Sequence, residues 1–165
     1  MAGGEIAIAL ATAGDIADIL ALQEENQPEH GGALSARLSR QWFEDALSDM
    51  PVIVARRDGR LAGYLVASSI ASQSCVPIVQ TMLRTYPSDP DSYIYGPVCV
   101  SSADRGHGIP GKLFAAQRAQ VGDRSCVTFI RADNAISLRA HAKLEMREVA
   151  RFTHDSVALV VVAYP

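Results

Sequence analysis

Cysteine is scarce in this chain, and neither sign of charge is in strong excess. The 165 residues include three cysteines, Cys75, Cys99 and Cys126, which are odd in number and form no CxxC pair. This pattern excludes a disulfide framework and gives no indication of a zinc or dithiol redox site. Lys and Arg number 15 against 18 Asp and Glu, and like charges are scattered rather than gathered in a basic stripe. A general nucleic-acid binder is therefore not expected, although a local site for a small anion is compatible with this balance.

Long hydrophobic runs and targeting segments are missing as well. The longest apolar run, Val157–Tyr164, has only the length of a strand, and residues 1–10 lack the basic start of a signal peptide. We therefore expect a cytoplasmic protein with no membrane partner. A chain of this length buries enough surface to fold without disulfides or a metal, so residues 1–165 are predicted to form one domain.

Hydrophobic periodicity and turn residues predict a succession of short strands and helices. Alternation at Ile6, Ile8 and Leu10 indicates a first strand, and Asp15 is expected to cap the helix that follows. The other predicted elements are a loop at 24–34, a helix with Leu38, Trp42, Ala46 and Leu47, a hairpin of strands 52–55 and 61–67 around Asp58 and Gly59, a helix at 76–84, a strand at 93–100, a helix after 108–111, a strand at 126–130, a helix from Asp133 or Asn134 to Leu144, and a terminal hairpin at 146–164. This order predicts a mixed α/β sheet with helices on its faces.

The most informative segment is RGHGIPGK at 105–112, which lies between a predicted strand and a predicted helix. Glycines let the backbone approach an anion closely, and the free N–H groups at a helix start attract phosphate. Arg105 and Lys112 add positive charge on either side. The segment thus predicts a phosphate-binding loop, and the alternative is an ordinary glycine-rich turn that starts a helix.

The same glycines, Gly106, Gly108 and Gly111, also match the GxGxxG pattern of dinucleotide-binding proteins, with Asp133 about twenty residues later. Two observations weaken that alternative. Residues 101–105 separate the strand from the first glycine, and too little chain follows to complete a parallel sheet.

Two segments resemble motifs of the GNAT superfamily of acyl-CoA-dependent N-acetyltransferases. RGHGIPGKLF at 105–114 is similar to the family's Arg-Gly-x-Gly-Ile-Gly or -Ala loop, and NAISLRAHAKL at 134–144 is similar to its NxxSxxxYxKLGF helix. The sequence departs from the family at Pro110, where Gly or Ala is usual, at His141, where Tyr is usual, and at Glu145 and Met146, where Gly and Phe are usual. The resemblance implies a GNAT-like fold, in which a mixed, mostly antiparallel sheet of about seven strands has a splayed central strand pair.

The resemblance also implies acetyl-CoA as co-substrate and no metal. Its pyrophosphate would lie on the glycine loop, and its pantetheine arm would run between strands 93–100 and 126–130. The CoA-binding residues implied are Val98, Cys99, Val100, Arg105, Gly106, His107, Gly108, Ile109, Gly111, Lys112, Asn134 and Ser137. For Asn134 and Ser137, local capping of the helix is an equal alternative.

Gly96 and Pro97 predict a distortion midway along strand 93–100, because proline removes a ladder donor and glycine tolerates a bulge. An ordinary edge strand is the alternative.

The implied reaction is direct attack of a neutral amine on the thioester, with a backbone N–H of residues 98–100 stabilising the oxyanion. His141 stands where the family has its general acid and is the predicted catalytic residue; the alternative is a packing or surface histidine.

Cys99 lies in the strand that would pass the thioester, so a ping-pong mechanism through this thiol has to be considered. In a Val-Cys-Val strand, core packing is the favoured interpretation.

The resemblance also implies that the acceptor is a primary amine of a small molecule or a peptide, bound in a cleft lined by the first inter-helix loop. The acceptor-binding residues that it implies are Glu24, Glu25, Tyr93 and Tyr95, together with Glu29 and His30. The acids favour a cationic small molecule, and a solvated acidic loop is the alternative. No catalytic base is assigned. The terminal hairpin could complete the sheet or pair with a second copy, so a homodimer is left open.

The predicted function is thus an acyl-CoA-dependent N-acetyltransferase that works in a ternary complex. The alternative is a domain that binds acyl-CoA as a sensor or regulatory module without turnover.

Overall fold

The computed structural model describes residues 4–32, 34 and 36–165. The strands and helices follow one another in the predicted order. They are β1 (Ile6–Leu10), α1 (Ile16–Glu25), α2 (Arg40–Asp49), β2 (Ile53–Arg57), β3 (Arg60–Ser69), α3 (Pro77–Thr85), β4 (Tyr93–Val100), α4 (Ile109–Val121), β5 (Cys126–Arg131), α5 (Ala135–Lys143), β6 (Arg147–His154) and β7 (Val157–Tyr164). Part of the loop predicted at 24–34 falls on residue 33, outside the described residues.

The seven strands are ordered β1-β2-β3-β4-β5-β7-β6 in one sheet. Among the pairings that the structure describes, β4 with β5 is parallel and the others are antiparallel. This mixed, mostly antiparallel sheet with helices confirms the predicted fold class. It does not fit the dinucleotide-binding alternative, which needs a parallel sheet.

The chain divides into two compact units, of which the first comprises Met1–Ala67 and Pro97–Gly122. Here β1 pairs with β2, and β2 turns into β3 through Asp58 and Gly59, whose φ angles of 52° and 75° define the tight hairpin turn that the sequence predicts. Helix α4 packs against β1 and β2, and α1 packs against α2. The core of this unit is formed by Ile16, Ile19, Leu22, Phe43, Ala46, Val52, Val54, Leu61, Tyr64, Val66 and Cys99.

Two predicted helix starts in this unit differ in detail from the structure. Asp15 is the N-cap residue of α1, as predicted, but its side chain makes no capping hydrogen bond to that helix. The carboxylate instead accepts the Thr12 N–H at 2.8 Å, at the start of the short 3₁₀ turn that precedes the helix. Leu38 lies outside α2, because Ser39 caps that helix by accepting the Trp42 N–H at 3.1 Å. In both cases, a side-chain oxygen accepts a backbone N–H group at a helix start that has no partner within the helix.

The second unit comprises Ser68–Gly96 and Asp123–Pro165. In it β5 pairs with β7 and β7 with β6, and the β6–β7 turn at Asp155 and Ser156 has positive φ angles of 47° and 65°. Helix α3 packs against β6. The core contains Val79, Met82, Ile94, Val127 and Val161. That residues 1–165 form one domain stays a prediction.

Candidate active site

The glycine-rich loop lies at the N-terminus of α4. Gly106 and Gly108 have φ angles of 82° and 71°, in the left-handed region that glycine enters without strain. Gly108 is the N-cap, and Pro110 lies in the first turn, as predicted. Because N–H groups of a first turn have no partner within the helix, those of Ile109 and Gly111 are available to an anion. A Cβ atom on Gly106, Gly108 or Gly111 would meet nothing within 4 Å, so this backbone faces open space.

A buried carboxylate holds the start of the loop. Asp104 ends the short 3₁₀ turn Ser102–Asp104, and its side chain has no exposed surface. Arg57 Nη1 lies 3.3 Å from Oδ1 and Arg60 Nη2 lies 3.0 Å from Oδ2. Both arginines belong to the β2–β3 hairpin, so the two ion pairs tie the loop to that hairpin. No sequence pattern predicts this cluster, since 47 positions separate Arg57 from Asp104 and no local motif links them.

The imidazole of His107 is engaged within the same loop. Its Nδ1 lies 3.1 Å from the carbonyl oxygens of both Asp104 and Arg105, which can only accept, so Nδ1 carries the proton. Nε2 then accepts from Arg57 Nη1 at 3.3 Å. Both ring nitrogens therefore support the loop conformation, while the predicted contact of His107 with CoA stays a prediction.

Arg105 connects the loop to the end of α1. Its Nη2 donates to Oδ1 of Asn26 at 3.1 Å, and Asn26 Nδ2 donates to the Leu22 carbonyl at 2.9 Å. These residues border a cleft of about 550 Å³ whose lining includes Glu24, Glu25, Asn26, His30 and Arg105. The structure thus brings two predicted acceptor-binding residues beside a predicted CoA-binding residue.

The two glutamates of this cleft differ in their pairing. Glu24 is 3.5 Å from His30 Nε2 and 3.5 Å from Arg37 Nη2, and Arg37 also forms an ion pair with Glu29. Glu25 has no ion-pair partner among the described residues. Its negative charge is therefore the less compensated of the two and the more available to a cationic ligand.

Strand β4 departs from regular geometry midway. Its parallel pairing with β5 lies at Tyr93 opposite Cys126 and Ile94 opposite Val127, and Gly96 then has a φ angle of 96°. A strand residue with positive φ interrupts the ladder, which is the distortion that Gly96 and Pro97 predict. Further along, Val98 and Val100 are partly buried.

Cys99 of β4 points into the core of the first unit. It is 4% exposed, its Sγ lies 3.9 Å from the Leu22 carbonyl, and Tyr64 lies in the same core cluster. Burial raises the pKa of the Cys99 thiol to about 12. A thiol that stays protonated at neutral pH is a poor nucleophile, which favours the packing interpretation over ping-pong catalysis.

His141 is a buried residue of α5 in the second unit. Its Nδ1 lies 2.7 Å from the Ser137 carbonyl and 3.3 Å from Ser137 Oγ, and its ring meets Tyr95 edge-on at 5.5 Å between centroids. Burial lowers the pKa of His141 below its ordinary value of 6.5, although the hydrogen bond to Ser137 acts in the opposite direction. The imidazole is therefore neutral at pH 7.

The neighbouring predicted residues have structural partners. Asn134 caps α5, because its Oδ1 accepts the Ser137 N–H at 3.0 Å. Tyr93 and Tyr95 are 0% and 2% exposed, so their side chains are part of the core of the second unit. Burial raises the pKa of Tyr95, which stays a neutral phenol. Contacts of these residues with CoA or an acceptor stay predictions.

Among the described residues, no group of three or more His, Cys, Asp or Glu is arranged to hold a metal ion. No helix in that part of the chain combines the length and the apolar character needed to cross a membrane.

Comparisons with known proteins identify the fold. No family model matches the sequence, and no curated protein matches it either. The structure is similar to an N-acetyltransferase from Staphylococcus aureus Mu50, with a TM-score of 0.72, 19% identity, and 97% of this chain and 98% of that chain covered. It is also similar to a ribosomal-protein-alanine N-acetyltransferase from Brucella melitensis, with a TM-score of 0.69, 22% identity, and 96% and 98% covered. A third similar structure is yncA from Salmonella typhimurium with its cofactor acetyl-CoA, with a TM-score of 0.71, 18% identity, and 97% and 93% covered.

The chain therefore shares its fold with these solved N-acetyltransferase structures. This is the fold that the two sequence motifs predict.

Proposed function

We propose that this protein is an N-acetyltransferase that transfers an acetyl group from acetyl-CoA to a primary amine by direct attack in a ternary complex. The observation that carries the proposal is the N-terminus of α4, where left-handed Gly106 and Gly108 open the backbone and Gly111 leaves room for a ligand. Free first-turn N–H groups, the helix dipole and the exposed Lys112 suit a pyrophosphate. Pro110 lacks an N–H, so the loop offers one donor fewer than a glycine or alanine there would give.

The residues of β4 and α5 that were predicted to contact CoA are assigned roles in the same proposal. Acetyl-CoA supplies the activated acetyl group, and Val98, Cys99 and Val100 offer backbone polar groups along β4, one of them an N–H for the oxyanion. Asn134 and Ser137 are proposed to contact the pantetheine arm. Direct attack is favoured over a ping-pong route because burial holds the Cys99 thiol in its protonated form.

The acceptor is proposed to be a cationic amine bound in the cleft beside Arg105. Glu25 is the group that we expect to recognise its charge, since Glu24 already faces Arg37 and His30. Replacing Glu25 by Gln should raise KM for spermidine about fivefold, with little change in KM for a tetrapeptide that starts with alanine. Glu24→Gln is the matched control and should change both values less than Glu25→Gln does. Equal effects of the two variants would contradict this assignment.

Titration calorimetry with acetyl-CoA tests the cofactor half of the proposal, with NAD as control ligand. We expect acetyl-CoA binding, no NAD binding, and about tenfold weaker acetyl-CoA binding by Arg105→Ala, because that arginine orders and charges the loop. Binding of NAD instead of acetyl-CoA would overturn the proposal. A sensor domain would bind acetyl-CoA yet release no thiol with any amine, and a thiol-release assay separates these two functions.

A further inference from the structure

A second cavity, of about 440 Å³, lies within the first unit next to the cleft beside Arg105. It is formed by α1, with Ala21, Leu22 and Glu25, and by the start of β3, with Arg60 and Leu61, and we call it the hairpin cavity. Ala21 and Glu25 line both the hairpin cavity and the cleft. These two residues are four positions apart in α1 and so share one face of the helix. The two spaces therefore adjoin along that face, and one ligand can extend from one into the other.

The hairpin cavity is lined by four charged side chains, two of each sign. Arg56 is compensated within the fold, because its Nη2 lies 2.6 Å from Asp15 and 3.0 Å from Asp18. The other two charges, on Glu25 and Arg60, line the same cavity without forming an ion pair with each other. Glu25 has no ion-pair partner anywhere in the described part of the chain. A negative and a positive charge are thus both presented to the contents of this cavity.

The guanidinium of Arg60 retains N–H groups for a ligand. Its Nη2 lies 3.0 Å from Asp104 Oδ2, and its Nη1 donates to Ser101 Oγ at 3.5 Å. Asp104 also pairs with Arg57, so one negative charge faces two positive charges. Because a guanidinium has five N–H groups, these contacts leave others unused. The Arg60 side chain is 55% exposed, so a ligand can reach it.

The rest of the lining adds no charge. It consists of Ala21, Leu22, Gly59 and Leu61, which offer an apolar wall and backbone groups. Unpaired charges of opposite sign in one cavity complement a ligand that carries both charges itself. An ammonium group would bind the carboxylate, and a carboxylate would accept hydrogen bonds from the planar guanidinium.

We propose that the hairpin cavity binds the head group of an α-amino acid, with its ammonium on Glu25 and its carboxylate on Arg60. This inference rests on the proposed function and names the class of its acceptor, an α-amino acid whose side chain ends in a primary amine. The side chain would extend past Glu25 into the cleft beside Arg105. In the reaction, the side-chain nitrogen forms a bond to the acetyl carbon, the carbon–sulfur bond breaks, and the proton lost by the nitrogen ends on the sulfur of CoA.

Three acceptors that differ by one charged group test the proposal with the parent protein alone. L-Ornithine has the complete head group and a side-chain amine. The analogue 1,4-diaminobutane lacks the carboxylate, and 5-aminopentanoate lacks the ammonium on the α-carbon. In a thiol-release assay, we expect kcat/KM for L-ornithine to exceed that for either analogue about tenfold, because each analogue leaves one charge of the cavity without its partner.

Two substitutions assign the charges. Arg60→Gln should lower kcat/KM for L-ornithine about tenfold relative to 1,4-diaminobutane, and Glu25→Gln should lower it about as much relative to 5-aminopentanoate. Effects transmitted to the glycine loop through Asp104 are common to all acceptors, so these ratios isolate the head-group contacts. Arg57→Gln is the matched control, because Arg57 also pairs with Asp104 but does not line the hairpin cavity. It should leave both ratios within about twofold of the parent.

Calorimetry with L-ornithine, in the presence of CoA, gives a readout without turnover. We expect the parent to bind L-ornithine and Arg60→Gln to bind it about tenfold more weakly. Equal kcat/KM for L-ornithine and 1,4-diaminobutane in the parent, or equal losses for both in Arg60→Gln, overturns the head-group site and leaves the acetyltransferase standing. Binding of L-ornithine that depends on Arg60, without thiol release from any acceptor, supports the site and overturns the proposed function. Neither binding nor thiol release overturns both.

Discussion

Nδ1 of His141 donates to the carbonyl oxygen of Ser137, one helical turn earlier, over 2.7 Å. This hydrogen bond fixes which nitrogen carries the proton, and the surrounding apolar packing favours the neutral ring. Burial lowers the pKa of the ring against the effect of this bond, and so sets the response of the fold to pH.

The free energy of unfolding should depend on pH through His141. Its pKa is lowered in the folded protein, so the unfolded chain binds more protons as pH falls through about 6.5, and stability decreases. In urea denaturation, we expect the stability difference between parent and His141→Gln to shrink between about pH 8 and about pH 5. A difference that grows with falling pH would show that the folded protein prefers the charged ring.

The buried Asp104 should control both stability and cofactor affinity. Asp104→Asn removes the charge that neutralises Arg57 and Arg60, which should cost about 3 kcal/mol in the free energy of unfolding. Because the loop then loses its tie to the β2–β3 hairpin, acetyl-CoA affinity should fall about tenfold. Denaturation and calorimetry check the two effects.

Asp18→Asn provides the matched control for that substitution. Asp18 also pairs with an arginine, Arg56, at 3.0 Å, but its side chain is 55% exposed. A screened surface pair contributes little, so stability should change by less than about 1 kcal/mol and cofactor affinity should not change. If Asp104→Asn bound acetyl-CoA as tightly as Asp18→Asn, the positioning role of Asp104 would be refuted.

Substituting Gly111 should separate stability from binding. The added Cβ meets no protein atom, and alanine is a better helix former, so Gly111→Ala should be as stable as the parent or about 0.5 kcal/mol more stable. The methyl group would occupy the space proposed for pyrophosphate, so acetyl-CoA should bind about tenfold more weakly.

Gly122→Ala at the other end of α4 should give the opposite pattern. Its φ angle of 70° strains an alanine, which should lower stability by about 1 kcal/mol, while affinity stays unchanged. Unchanged acetyl-CoA binding by Gly111→Ala would place the pyrophosphate elsewhere.

The three cysteines should differ sharply in reactivity. Cys75 is exposed, whereas Cys99 and Cys126 are buried and the pKa of Cys99 is raised to about 12. In the native protein, a thiol reagent should modify Cys75 rapidly and the other two only on unfolding. Cys99→Ala should keep kcat within about twofold of the parent, if it folds, because the thiol takes no part in the chemistry. Loss of activity together with ping-pong kinetics in the parent would contradict this prediction.

The parts of the fold that could be predicted depend on local sequence. Asp58 with Gly59, and Gly108 with Pro110, mark a turn and a helix start by their own backbone preferences, so their positions followed directly. The Asp104 cluster could not be predicted, because the chain must fold before Arg57 meets it. His141 could be placed on its helix, but the apolar packing that lowers its pKa involves Tyr95, which is distant in sequence.

The most direct test of the central claim follows both products of the proposed reaction. The protein is incubated with acetyl-CoA and spermidine, 1,4-diaminobutane or the alanine-starting tetrapeptide, and free thiol and acetylated amine are quantified by absorbance and mass spectrometry. An N-acetyltransferase must release one thiol for each acetylated amine, with at least one of these acceptors. Binding of acetyl-CoA with no thiol released, or release of thiol without any acetylated amine, would contradict the account.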